Sequence, residues 1–133
     1  MIQFHNIVGQ QTAKQGLLKM WHKGHFPHAL LLVGAEGTGG LPMGIALAQY
    51  IFCDSKKEND SCGKCVNCHK VARLEHADLH LSFPTYPPKP GTKAMSFYFI
   101  NEFKEFVKHT PYGTTFDWLQ FIEAENKQGN LTA

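Results

Sequence analysis

Arg73 is the only arginine in the chain, and lysine adds just enough to leave a net charge of +2 over 133 residues. A protein that grips DNA through its phosphates carries a clear basic excess. The balance here excludes such a surface as the main device, so any link to DNA is expected to run through partner proteins. Long apolar runs are missing too; those present, such as Ala29 to Val33, are far too short to cross a bilayer. The start, Met1-Ile2-Gln3-Phe4-His5, lacks the basic flank and apolar core of a secretory signal. A reducing, cytoplasmic setting is therefore the expectation. Repeats and low-complexity tracts are absent. With hydrophobic residues at 43% and charged ones at 18%, the composition is that of a folded domain and not of a disordered chain.

Cysteine is absent everywhere except in one short stretch. All four, Cys53, Cys62, Cys65 and Cys68, fall in a C-x8-C-x2-C-x2-C pattern. A C-x2-C turn brings two sulfurs to one ion, and zinc prefers four soft thiolates at tetrahedral corners. The overlapping pairs supply three ligands, and Cys53, at the end of a predicted helix, folds back as the fourth. A filled coordination sphere leaves no place for a catalytic water, so the expected role is structural. Disulfides do not suit a reducing compartment; an iron–sulfur cluster also takes four cysteines, and the spacing leaves it open.

The remaining pattern is α/β. Gln10 to Lys23 reads as an amphipathic helix through Ala13, Leu17, Leu18, Met20 and Trp21, with Gly24 and Pro27 to stop it. Ala29 to Val33 suits a strand buried on both faces, as in a parallel sheet flanked by helices. Gly34 to Gly40 is a glycine-rich loop, followed by a helix to about Phe52 that buries Ile45, Leu47, Ala48 and Ile51. Further helices are expected at about Val66 to Glu75, Ile100 to Lys108 and Trp118 to Ala124, with a second strand from Leu79 to Phe83. A Pro-rich loop at about 84–95 breaks regular pairing. Residues 126–133 read as a connector. Two strands do not complete a sheet, so the chain reads as part of a larger domain.

The loop Gly34-Ala35-Glu36-Gly37-Thr38-Gly39-Gly40-Leu41 lies where a phosphate-binding loop belongs, between strand and helix. Against G-x-x-x-x-G-K-[ST], Gly34 and Gly39 match. Gly40 stands in the lysine position and Leu41 in the Ser/Thr position. The lysine reaches the β- and γ-phosphates and the hydroxyl holds Mg²⁺; glycine and leucine do neither, and Glu36 repels phosphate. Gly34, Gly37, Gly39, Gly40 and Leu41 thus form a degenerate loop. Its backbone amides remain able to hold an anion, but no nucleotide cofactor and no hydrolysis are expected. His22, His25 and His28 are spaced by three, yet Gly24 and Pro27 interrupt any helix that would align them. His76 and Asp78 fit a turn as well as an acid–base pair. Phe97, Phe99, Phe103 and Phe106 read as core before they read as a stacking platform, since base stacking needs basic neighbours.

Phe4, Ile7, Val8, Gly9 and Gln10, then His28-Ala29-Leu30-Leu31-Leu32, the glycine loop, the cysteine cluster and His76-Ala77-Asp78-Leu79 follow one another in an order that resembles the N-terminal domain of bacterial clamp-loader subunits of DNA polymerase III. The likeness runs from about Phe4 to Phe83. It implies a P-loop AAA+ domain, truncated over residues 1–133, with an inserted zinc module at about 53–70. It implies also a place in a hetero-oligomeric ring with gamma/tau and delta subunits that loads the sliding clamp in DNA replication. Within the family the gamma and tau motors carry an intact phosphate loop and delta-prime usually a broken one, so Gly40 and Leu41 resemble the delta-prime branch, a non-catalytic member. A gamma/tau-like motor and a zinc-dependent nucleic-acid-binding module are the alternatives. The Ser-Arg-Cys motif of delta-prime and an acidic Walker B segment do not occur, and Arg73 cannot be assigned as an arginine finger. The segment 84–107 has no counterpart in the likeness.

Overall fold

The computed structural model describes residues 1–124, which fall into two compact units, Met1–Leu79 and a second beginning at His80. The expected connector at 126–133 lies outside the described residues.

In the first unit a short 3-10 turn, Phe4–Asn6, leads into α1, Gln11–His22. The apolar stripe of α1 turns Leu17 and Leu18 inward, while Ala13 stays exposed. Lys14 is buried by its stem and donates from Nζ to the Ile7 carbonyl at 2.6 Å. α2, Gly40–Phe52, is apolar nearly all round, as a helix buried on most sides must be. Tyr50 on α2 anchors the core: Phe4 packs against it at 5.9 Å between ring centroids and Trp21 meets it edge-on at 6.1 Å. Burying each such aromatic contributes about 1.5–3 kcal/mol relative to exposure. α3, Val66–Ala72, packs on α2 with Cys68 and Val71 fully buried.

The sheet of the sequence reading is not seen. Among the described residues neither Ala29–Val33 nor Leu79–Phe83 forms a strand, and the only sheet-like residue is an isolated bridge at Thr85. A strand exists only where its backbone N–H and C=O groups find a neighbour. The run 29–33 meets none, and Leu31 and Val33 stand 83% and 87% exposed. The second run straddles the boundary between the units, Leu79 on one side and His80 on the other. Apolar character was read as burial, but the partner that would bury it is not among these residues.

The second unit is built on stacked aromatics. A 3-10 turn, Ser96–Phe99, runs into α4, Ile100–His109, and a tight connection leads to α5, Thr115–Phe121. Phe83 stacks on Phe103 at 3.9 Å, and Trp118 stands edge-on to both at 5.2 Å. The Trp118 indole N–H donates to the Pro84 carbonyl at 2.6 Å, pinning the Pro-rich segment to α5. Of the Phe stripe, Phe99, Phe103 and Phe106 are core, whereas Phe97 is exposed. α5 begins three residues earlier than Trp118. The cause is a reciprocal cap: Thr114 Oγ1 accepts the Asp117 N–H at 3.1 Å, and the Asp117 carboxylate accepts the Thr114 N–H at 2.8 Å. The Thr114 N–H holds the Asp117 carboxyl below its ordinary range.

Gly113 sits against the Phe106 ring so closely that an added Cβ would run into it. Gly113→Ala is expected to lower stability by about 1–3 kcal/mol through overpacking, read by urea unfolding followed through tryptophan fluorescence.

Candidate metal centre

Helix ends place the cysteines. Cys53 caps the C-terminus of α2 and Cys65 the N-terminus of α3, so two rigid elements aim at one point. Cys68 follows on the inner face of α3, and Cys62 comes from the connecting loop. The four Sγ atoms lie within 4.8 Å of one another, with Cys62 and Cys68 at 3.9 Å. Zinc–sulfur bonds of about 2.3 Å in a tetrahedron require sulfurs about 3.8 Å apart. The thiols are free, with no disulfide between them. They are positioned to hold one metal ion, and the all-sulfur donor set suits a soft or borderline cation.

Backbone amides line the sulfurs. Cys62 Sγ accepts from the N–H groups of Lys64 at 3.4 Å and Cys65 at 3.3 Å. Cys53 Sγ accepts from Cys62 N–H at 3.2 Å, and Cys65 Sγ from Cys68 N–H at 3.4 Å. This turn requires Gly63, whose φ of +69° lies in the left-handed region and whose missing Cβ leaves room for the Gln3 amide. The N–H groups of Lys64 and Cys65 bring the Cys62 thiol down to about 6. Burial pushes Cys68 up to about 12 and raises Cys53 as well. Two of the four sulfurs are thus held as thiols unless a cation arrives to stabilise their thiolates.

Other candidate ligands go elsewhere. His69 is exposed beside Cys68, outside the cluster. His22 Nε2 donates to the Glu58 carbonyl at 2.8 Å, and among the described residues the cysteines form the one group of three or more ligating side chains brought together. The His76 ring stacks on Phe52 at 4.1 Å and its Nδ1 accepts the Asp78 N–H at 3.2 Å, a turn contact.

The glycine-rich loop opens α2, whose far end carries Cys53. Gly37 and Gly39 adopt φ of +74° and +101°, and the Gly39 carbonyl accepts the Met43 N–H at 3.0 Å. A pocket of about 190 Å³ lies over it, lined by Gln10, Leu32, Gly34, Thr38, Gly39 and Met43 among others. No cationic side chain is part of that lining among the described residues. The polar groups of the loop bond inward: Thr38 Oγ1 donates to the Ala35 carbonyl at 2.6 Å, and Gln10 Nε2 to the Thr38 carbonyl at 3.1 Å.

Sequence reasoning missed the groups that hold the Cys62 turn in place, Gln3, Gln49, Asp60 and Ser61. Gly63, a glycine inside a C-x2-C turn, was a legible signal; the long-range partners had none.

The glycine-rich loop and the four converging thiols thus occupy the two ends of one buried helix, α2. A family model described as DNA polymerase III, delta subunit, matches residues 9–127. The chain belongs to this family of clamp-loader subunits of the replication polymerase. It is similar to DNA polymerase III subunit delta' of Bacillus subtilis (strain 168), at 37% identity over 62 residues, 47% of this chain and 18% of that protein. Subunit delta' of Escherichia coli (strain K12) is 28% identical over 89 residues, 67% of this chain and 25% of that protein. Subunit gamma of Buchnera aphidicola subsp. Baizongia pistaciae (strain Bp) is 30% identical over 77 residues, 58% and 21% of the two chains. The matches thus span a quarter or less of the relatives' length. No solved structure matches at the same stringency. No helix among the described residues is long and apolar enough to cross a membrane.

In the metal-free chain at pH 7, Cys62, mostly thiolate, is expected to react first with iodoacetamide and Cys68 last. Mass spectrometry of the partially alkylated chain reads that order.

Proposed function

We propose that the chain serves as a non-catalytic, delta-prime-like part of the clamp loader of DNA polymerase III, with one structural zinc held by Cys53, Cys62, Cys65 and Cys68. The observation that carries the reading is the first turn of α2. In a chain of this family, that turn presents Gly40 and Leu41 where a working phosphate loop presents a lysine and a hydroxyl. The lining of the pocket supports the same reading, since nothing cationic in it answers a triphosphate.

Zn²⁺, when bound, supplies the charge that lets four crowded thiolates coexist. The protein's part is to hold Cys53 and Cys65 on helix ends, to offer backbone N–H groups to sulfur, and to leave no fifth ligand position. The module at about 53–70 then acts as a brace between α2 and α3. In this reading the run Ala29–Val33 acts as a strand of a parallel AAA+ sheet, its partners supplied from outside the described residues; the exposure of apolar Leu31 and Val33 supports it. The partners are gamma/tau and delta subunits, DNA is reached through the complex, and the setting is cytoplasmic.

The similarity to a gamma subunit favours a second reading, a motor with a divergent loop. Enzymology separates the two. The purified chain is expected to contain about one zinc by elemental analysis, to co-elute with gamma and delta subunits, and to show no ATP turnover. ATP hydrolysis that follows the chain through every step of purification would sink the non-catalytic reading. Iron in place of zinc would replace the brace by a redox centre.

A further inference from the structure

Ser61, just before the second cysteine, is fully buried, and two side-chain amides converge on it. Gln3 Nε2 donates to the Ser61 carbonyl at 2.8 Å and to Ser61 Oγ at 3.1 Å. Gln49 Nε2, from α2, donates to the same Oγ at 2.8 Å. One residue earlier, the Asp60 carboxylate accepts the N–H groups of Phe4 at 3.1 Å and His5 at 3.0 Å, and that of Ser61 at 2.8 Å. The Gln3 amide also lies against the turn itself: a Cβ on Gly63 would stand 2.8 Å from Gln3 Oε1. Meanwhile Phe4 and Ile7, on either side of the 3-10 turn, are locked into the core.

A side chain at this point of the chain would ordinarily serve its own turn. Gln3 also reaches beyond it: its backbone N–H is tied to Asn6 Oδ1, at 3.1 Å, and its amide Nε2 donates to a segment 58 residues away. That segment is the one that must hold Cys62 and Gly63 in place for the Lys64 and Cys65 N–H groups to reach sulfur.

We propose that Gln3 is a positioning residue of the metal centre, and that the N-terminal turn and the Cys62–Cys65 loop order each other. The inference rests on reading the cysteines as a metal site. Groups that orient ligands without touching the metal change affinity by about 10–100-fold. Coupling of this kind is reciprocal, so metal must tighten the N-terminal turn by the factor by which the turn tightens metal.

The test uses the whole chain with Gln3→Ala and Gln3→Glu. Glutamate keeps the shape but removes the donor and adds a charge, while alanine removes donor and bulk without the charge, so a loss common to both reports the hydrogen bond. Zinc affinity is measured by competition with a chromophoric chelator, and amide deuterium exchange is followed over residues 4–7 with zinc loaded and stripped. Both variants are expected to hold one zinc, about tenfold or more weakly than the parent chain. Stripping zinc from the parent chain is expected to expose the Phe4 and His5 amides. Parent-like affinity in Gln3→Glu overturns the proposal, and so does exchange at Phe4 and His5 that is indifferent to zinc; the second readout needs no variant to fold. A parent chain that takes up no metal at all sinks the metal reading together with this one. Tight zinc with unaltered variants sinks this one alone.

Discussion

Four sulfurs packed within bonding distance of a single point cannot all be charged, and two of them are buried where charge is costly. That conflict organises the first unit. The N–H groups of Lys64 and Cys65 offset part of it at Cys62, but nothing comparable in strength offsets burial at Cys68. A cation at the centre resolves it, and metal binding by such a site is then inseparable from the folding of the elements that present the ligands. α2 and α3 converge on this point, because Cys53 ends one and Cys65 starts the other.

The same α2 joins two chemistries of different fate. At its start the glycine loop retains the backbone of an anion cradle, with Gly37 and Gly39 in left-handed conformations. The side chains that would give the cradle a purpose are missing, and Thr38 and Gln10 close its polar groups on each other and on the backbone. At its other end four thiols stand positioned to hold one metal ion. In the proposed reading this is a division between a loop that keeps its shape and a brace that keeps its chemistry.

Legibility followed sequence distance. The helices α1, α2 and α4 were visible because apolar spacing is a local signal, and so was the cysteine pattern, whose spacing is itself geometric. α5 was placed too late because Thr114 and Asp117, three apart, were not read as a cap. The strands were inferred from apolar runs alone, and such a run says what a segment avoids without saying what it pairs with. Leu31 and Val33 show the difference. Gln3, Asp60 and Ser61 were invisible for the opposite reason: each is an ordinary polar residue until residues 3–5 meet residues 60 and 61 across more than fifty positions.

That span also sets an order of events during synthesis. The Phe4–Asn6 turn leaves the ribosome well before its partners, since the carboxylate and carbonyl that receive it belong to Asp60 and Ser61. Chain emerges at about 5–20 residues per second, so this turn waits several seconds for its docking site. α1 can form in that interval, but the N-terminal segment stays open to solvent and to proteases until the cysteine loop has appeared behind it. A segment made early is secured only when one made much later arrives.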